Sequence, residues 1–409
     1  MSSNSSGNTR QILIVGNGAA GLSAAKAARA QDPEAEITMF GEDNRLPYYR
    51  LRLCEYIGKS VDYDGLEISN GEWFEKNRIR VELSEKITAI DVTAKKISSN
   101  DKEYSYDSLV LATGSKPIIP SSIKGKELSG IHTIWTCEDI VEINKSLINA
   151  KKAVIIGGGL LGLEAAHKIS ETGIEVSLIE CMPRLLPKQL DEEGSEIFRD
   201  KVQSLGISVF CGKSVSGFEG DNNGHVAQVR MADDTLIEAD IVVVAVGVAP
   251  KTDVFQNSGI DMNRFLIVNE KMETSINNIY AAGDAACVNG RWFGQWIVAS
   301  KQGQVAGTNA AGGNAVYETT DIPYILSTMG TRVVCSGDTG IFQSNNSEIT
   351  YETDKKIDKE KFSYSKLVFR NGLFVGYMLV GEPAKAMNKL QPLIKTGVSA
   401  EDINKILYK

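Results

Sequence analysis

Two glycine triplets carry most of the chemistry in this 409-residue chain. Gly16-x-Gly18-x-x-Gly21 follows the β-branched run Ile12-Leu-Ile-Val15 and opens an alanine-rich stretch. In such a strand–turn–helix context the first glycine permits the tight turn. The second lets backbone amides approach a pyrophosphate, and the third lets helix and strand pack closely. Ala19 and Ala20, the small residues between Gly18 and Gly21, belong to the same binding turn. A helix starting here points about half a positive charge at the phosphates. Glu42, 21 positions beyond Gly21 and just past the next apolar run, is placed to accept hydrogen bonds from ribose hydroxyls.

One such triplet has a plain alternative, a glycine turn without a ligand. A second copy in the same context argues against it: Ala153-Val-Ile-Ile156 runs into Gly157-x-Gly159-x-x-Gly162, and Glu180 follows 18 positions later. A carboxylate at that strand end repels a 2′-phosphate, so this site is expected to prefer NAD(H) to NADP(H). Arg184, close behind it, reads more plainly as a surface or packing arginine than as a phosphate ligand.

The elements that position these residues alternate. Each triplet lies between a short apolar run and an alanine-rich amphipathic stretch, and a second apolar run (36–40, 175–179) closes each unit. That alternation predicts parallel sheets with helices on their faces, an α/β fold. Ser108–Gly114 and Asp240–Gly247 are further buried-strand candidates that end in glycine. Ile279–Ala285 precedes a helix expected over 298–311, which suggests that the chain returns to its first sheet after building a second. The expected division is 1–118 with 244–320 as one discontinuous domain, 119–243 as the other, and 321–409 as a small α+β C-terminal domain.

With both triplets, Leu111-Ala-Thr-Gly-Ser-Lys-Pro117, Ala245-Val-Gly-Val-Ala-Pro250 and Tyr280-Ala-Ala-Gly-Asp284 in this order, the chain resembles the flavin-dependent pyridine nucleotide oxidoreductases with a glutathione-reductase-like two-nucleotide fold. The resemblance covers about 11–320. It implies that the first domain binds FAD and the second NAD(H). Asp284 would then hold the ribityl chain of FAD, Thr113 and Gly114 would lie beside the cofactor, and Ile87 would occupy the strand position whose backbone meets adenine. The plainer reading of Asp284 is a helix N-cap. The late helix, with Gln302, would aim its positive end at the flavin; its alternative is an alanine–glycine packing helix. Gly247 would leave room over the flavin.

Leu46-Pro-Tyr-Tyr-Arg-Leu-Arg-Leu-Cys-Glu55 is similar to the Pro-Tyr-x-Arg segment of rubredoxin reductases, oxygenase-system ferredoxin reductases and the NADH-binding part of nitrite reductases. Arg50 matches that segment and would sit near the flavin. Many relatives continue with Pro-Pro-Leu-Ser-Lys; here the lysine is missing. Glu164 matches the family's Gly-x-x-Gly-x-Glu position near the nicotinamide carboxamide and is the catalytic candidate, its alternative being a helix-surface glutamate.

Ordinary globular composition and a net charge of -8 argue against wholesale nucleic-acid binding. The six cysteines lie at least 30 positions apart, which removes any Cys-x-x-Cys dithiol, zinc ribbon or rubredoxin-type iron site, and the three scattered histidines add no metal pattern. A polar start, 1–10, and the lack of any 18-residue apolar run point to a reducing cytoplasm and no membrane span. The leading expectation is therefore a reductase that passes hydride from NADH to flavin and electrons to an external acceptor, rubredoxin or a similar small iron–sulfur protein. Lys355–Lys366 is a candidate steering face for such a partner, with a solvated charged face the better expectation. Two alternatives remain: an NADH oxidase or peroxidase cycling through Cys54, and a flavoprotein subunit of a larger assembly. The oligomeric state is open.

Overall fold

The computed structural model describes residues 9–318, 321–341 and 351–408; most of the polar start, 1–8, lies outside them. Two compact units emerge. The first comprises Met1–Arg52, Asp62–Lys116 and Val248–Thr319; the second comprises Leu53–Val61, Pro117–Gly247 and Thr320–Lys409. This differs from the three-domain expectation in two places. The C-terminal residues join the second unit, and so does the short piece 53–61.

In the first unit five parallel strands lie in the order Ile279–Ala281, Ser108–Leu111, Gln11–Val15, Glu36–Phe40, Ile79–Glu82. The chain does return to its first sheet, since Ile279–Ala281 pairs with Ser108–Leu111. Ser108–Leu111 is buried along its whole length, as a central parallel strand covered on both faces must be. The helix Ala19–Gln31 lies against the late helix, Trp296–Ala310. Their approach is set by small residues: a Cβ on Gly303 or Gly307 would run into the carbonyls of Ala20 and Ala24. Ala24, Ala25 and Ala28 are fully buried beneath this contact.

The second unit repeats the plan with the parallel order Ser208–Cys211, Glu175–Glu180, Lys152–Ile156, Ile241–Val244, Ile131–His132. A three-stranded antiparallel sheet, Val215–Gly220, Val226–Met231 and Leu236–Glu238, shares its core through Phe218, Val229 and Met231. The C-terminal residues form a five-stranded antiparallel sheet, ordered Tyr324–Thr328, Thr331–Gly337, Leu373–Val380, Ser363–Arg370, Tyr351–Asp358. Its apolar face is closed by Leu390 and Ile403. Asp191, the N-cap of helix Glu192–Gln203, accepts from Tyr364 at 2.7 Å and from the buried Lys366 at 3.0 Å, which explains why this sheet belongs to the second unit.

The lysines of 355–366 are mostly spent on that contact. Lys355 pairs with Glu193, Lys359 with Glu196 at 3.3 Å, and Lys366 with Asp191. Among the described residues no helix is long and apolar enough to cross a membrane.

Candidate functional site: two nucleotide cradles

Both cradles are built alike. Gly16 has φ +114°, and its N–H donates to the Phe40 carbonyl at 2.9 Å; Gly157 has φ +115° and donates to Ile179 at 2.8 Å. A Cβ on Gly16 would enter the Ala112 carbonyl, and one on Gly157 the Ala245 carbonyl, so only glycine meets both demands. Gly18 and Gly159 are the N-caps of Ala19–Gln31 and Leu160–Ser170. Around each, a Cβ would meet nothing within 4 Å, so the backbone is open to an approaching group. Gly21 and Gly162 press onto the carbonyls of Gly16 and Gly157. Neither helix has a side-chain cap or an acid in its first turn, which leaves first-turn amides to serve an anion. Ala19 and Ala20 are buried at the start of the first helix.

The two acids differ. Glu42 is partly exposed and lies between Lys251, at 2.8 Å, and Lys86, at 2.9 Å. Against a burial penalty, these lysines bring its carboxyl down to about 2. Glu180 is 7% exposed and held by backbone amides: Gly158 donates at 2.6 Å and Met182 at 2.7 Å. Arg184 is turned to the Leu190 and Pro187 carbonyls at 3.1 and 3.3 Å, in keeping with its plain reading as a packing arginine.

Asp284 sits in the 3₁₀ turn Gly283–Ala285 and caps no helix there. Ser115 donates to it at 2.6 Å. Burial raises its carboxyl, while the Ser115 hydroxyl and the charge of Arg50 lower it. Arg50 reaches Asp43 at 3.3 Å and lies 5.3 Å over the Tyr48 ring. The Thr113 hydroxyl donates to the Lys251 carbonyl at 2.7 Å, leaving its lone pairs and backbone for other contacts. Gly114 has φ +70° and open space where a side chain would be. Gln302 is 2% exposed, and its oxygen accepts from the Gly283 N–H at 2.9 Å. Its side chain thus steadies the turn that carries Asp284, while the late helix begins at Trp296 without a side-chain cap. Ile87 is placed differently from the expectation: it is buried, but in the irregular segment between Ile79–Glu82 and Ala89–Asp91, not in a strand. The three-residue strand after it starts too late to include it.

In the second unit Gly247 has φ +117° and open space at its Cβ position, and its carbonyl accepts from Ile118 at 3.1 Å. Glu164 lies on Leu160–Ser170. Burial, then the Glu55 charge, push it up to about 7, with Lys168 pulling the other way. Cys54 is 5% exposed. Burial and then Glu164 push its thiol well above the ordinary range, so thiolate formation is disfavoured. Both effects work against a thiol-cycling role for Cys54. Sequence reasoning missed the lysines flanking Glu42 and the Ser115–Asp284 bond. Ser115 adjoins the Thr113–Gly114 motif and was in reach; nothing in the sequence pairs residue 42 with residue 251.

The sequence pattern of the pyridine nucleotide-disulphide oxidoreductases matches residues 10–303, and the chain belongs to that family. It is a flavin- and NADH-dependent oxidoreductase of the rubredoxin-reductase-like kind. It is 38% identical over 329 residues to an NADH-rubredoxin oxidoreductase of Clostridium acetobutylicum, covering 80% of this chain and 82% of that one. It is 32% identical to a nitrite reductase [NAD(P)H] of Bacillus subtilis, covering 97% of this chain but 48% of the relative, so it spans about half of that protein. The solved structure of NADH:rubredoxin oxidoreductase from Clostridium acetobutylicum superposes with a TM-score of 0.78 at 30% identity, over 97% of this chain and 99% of that one.

Proposed function

We propose that this chain takes hydride from NADH onto FAD and delivers electrons to a small external iron–sulfur protein, rubredoxin or one like it. The observation that carries the reading is the pair of cradles in one chain, one of them with a buried acid held by backbone amides. The residues suit both groups: open glycines at uncapped helix starts fit pyrophosphates, and the acids Glu42 and Glu180 near them fit ribose hydroxyls. When bound, FAD supplies two-electron acceptance and release of electrons singly.

Gly16, Gly18, Ala19, Ala20 and Gly21 hold the FAD pyrophosphate, and Glu42, ionised across the physiological range, accepts from its ribose. Asp284 accepts from the ribityl hydroxyls, supported by Ser115 and Gln302. Thr113 and Gly114 offer backbone, Arg50 orients polar oxygens, and the Ile87 backbone borders adenine. Gly157, Gly159 and Gly162 hold NADH, and Glu180 selects it over NADPH by repelling the 2′-phosphate. Glu164 orients the carboxamide, and Gly247 keeps the approach to the ring clear.

Rubredoxin as acceptor is supported by the relative at 38% identity. The lysine stretch 355–366 does not add to it, because most of those lysines pair within the unit. Anaerobic reduction by NADH, followed by mixing with rubredoxin, ferredoxin, nitrite-reductase components, oxygen or peroxide, tests the reading. Fast reoxidation by rubredoxin alone is expected. Fast reoxidation by oxygen, with rubredoxin inert, overturns it.

A further inference from the structure

Glu42 is where three segments of the first unit meet. Its own segment, just past Glu36–Phe40, is tied to the next: the Gly41 N–H donates to the Glu82 carbonyl at 2.8 Å, and the Glu85 N–H donates to the Gly41 carbonyl at 2.9 Å. That exchange brings Lys86, the neighbour of Ile87, to 2.9 Å from Glu42 Oε1. The third segment is the one on which the chain returns to this unit. Lys251, directly after the strand Val248–Pro250, puts its Nζ 2.8 Å from Glu42 Oε2.

Of the two lysines, Lys251 is the better anchored. Its carbonyl accepts from the Thr113 hydroxyl at 2.7 Å, and its N–H donates to the Gly114 carbonyl at 2.9 Å. Its side chain is 33% exposed, against 65% for Lys86. A less exposed side chain on an anchored backbone has fewer conformations to lose on pairing, and that loss is what cancels most surface ion pairs. Each oxygen of Glu42 keeps acceptor capacity after taking one lysine, which leaves it able to serve ribose hydroxyls.

We propose that Lys251 is a positioning residue for FAD: its ammonium fixes the Glu42 carboxylate for the ribose, and its backbone couples that acid to the Thr113–Gly114 turn. Two stretches of the cradle are thereby held as one. This rests on the reading of the first cradle as the FAD site with Glu42 at its ribose. The consequence is that retention of FAD depends on a single ammonium group that need not touch the cofactor.

The test follows release of FAD from the loaded full chain by the rise in flavin fluorescence. Lys251→Met removes the ammonium, keeps an aliphatic stem and leaves both backbone hydrogen bonds in place. It is expected to speed release about three- to fivefold at low salt, and the gap to wild type should close to less than about twofold at roughly 0.5 M KCl. Lys251→Arg, which keeps the charge, restores the wild-type rate within about twofold. Lys86→Met makes the same change of charge at the more exposed lysine and has no more than about a twofold effect. In a Glu42→Gln background Lys251→Met adds little, because the group it acts through is already neutral. Equal effects of Lys251→Met and Lys86→Met, a gap that salt leaves unchanged, or a full effect of Lys251→Met in the Glu42→Gln background overturns the proposal. A chain that takes up no FAD overturns the functional reading and the proposal together, whereas a chain that holds FAD and releases it at the wild-type rate in Lys251→Met overturns the proposal alone.

Discussion

The two cradles share a backbone and differ in everything around it. Gly16 and Gly157 have nearly the same φ, make the same strand-to-turn hydrogen bond and press on the same kind of carbonyl. The acid of the first, Glu42, is partly in water between two lysines; that of the second, Glu180, is buried among amides. The first helix lies against glycines of the late helix, Gly303 and Gly307 pressing onto the Ala20 and Ala24 carbonyls. On the second, Glu164 is buried and feels the charge of Glu55, and His167 bonds Thr328 at 2.9 Å. Geometry common to both can bind any dinucleotide; discrimination and pH response must come from the surroundings, where the copies diverge.

The most severe way to separate the two is Gly16→Ala against Gly157→Ala. Each forces a positive φ on an L-residue, at roughly 1–3 kcal/mol, and adds a carbonyl clash. Gly16→Ala is expected to yield protein without bound flavin, by visible absorbance. Gly157→Ala should keep its flavin and lose about 100-fold in apparent NADH affinity. Loss of flavin from both would erase the assignment of one nucleotide to each cradle.

Next come the acids. Glu180→Ala leaves the Gly158 and Met182 amides without their carboxylate, a loss of roughly 1.5–3 kcal/mol, and NADH titration is expected to show a 10- to 100-fold weaker affinity. Glu42→Ala removes an exposed ion pair worth about 1 kcal/mol or less, so flavin affinity should fall only a few-fold. Equal effects would mean that burial does not distinguish the sites.

The acids also make opposite demands on pH. Glu42, held at about 2 against an unfolded value of about 4.3, adds stability above the unfolded value that is lost as pH falls toward 2. Glu164, raised to about 7, adds stability below about 4.3 that is lost as pH rises toward 7. Hydrogen exchange of peptides from each unit, followed from about pH 4 to 7, should show the second unit loosening relative to the first. A parallel response in both would contradict the contrast.

The smallest effect concerns sulfur. Peroxide followed by a sulfenate trap is expected to label exposed Cys181 well before buried Cys54. Labelling of Cys54 first would restore the thiol-cycling alternative.

Much of the fold was legible because local rules and the global structure agree. Glycine triplets between a β-branched run and an alanine-rich stretch admit one compact solution, and its repetition at Gly157 placed Glu180 as surely as Glu42. What sequence could not supply was the partner of each charge. Lys251 lies 209 positions from Glu42, and Asp191 reaches across 175 positions to Lys366. The sequence also left Ile87 in a strand and the C-terminal sheet in a domain of its own. Short strands end where tertiary hydrogen bonds end, and a buried lysine binds its sheet to whatever carboxylate compensates it. The amino-acid order alone thus determined the two cradles and their acids, since backbone sterics act within a few residues. Tertiary structure decided which acid is buried and which is paired, because desolvation and Coulomb energy depend on neighbours that only folding brings together.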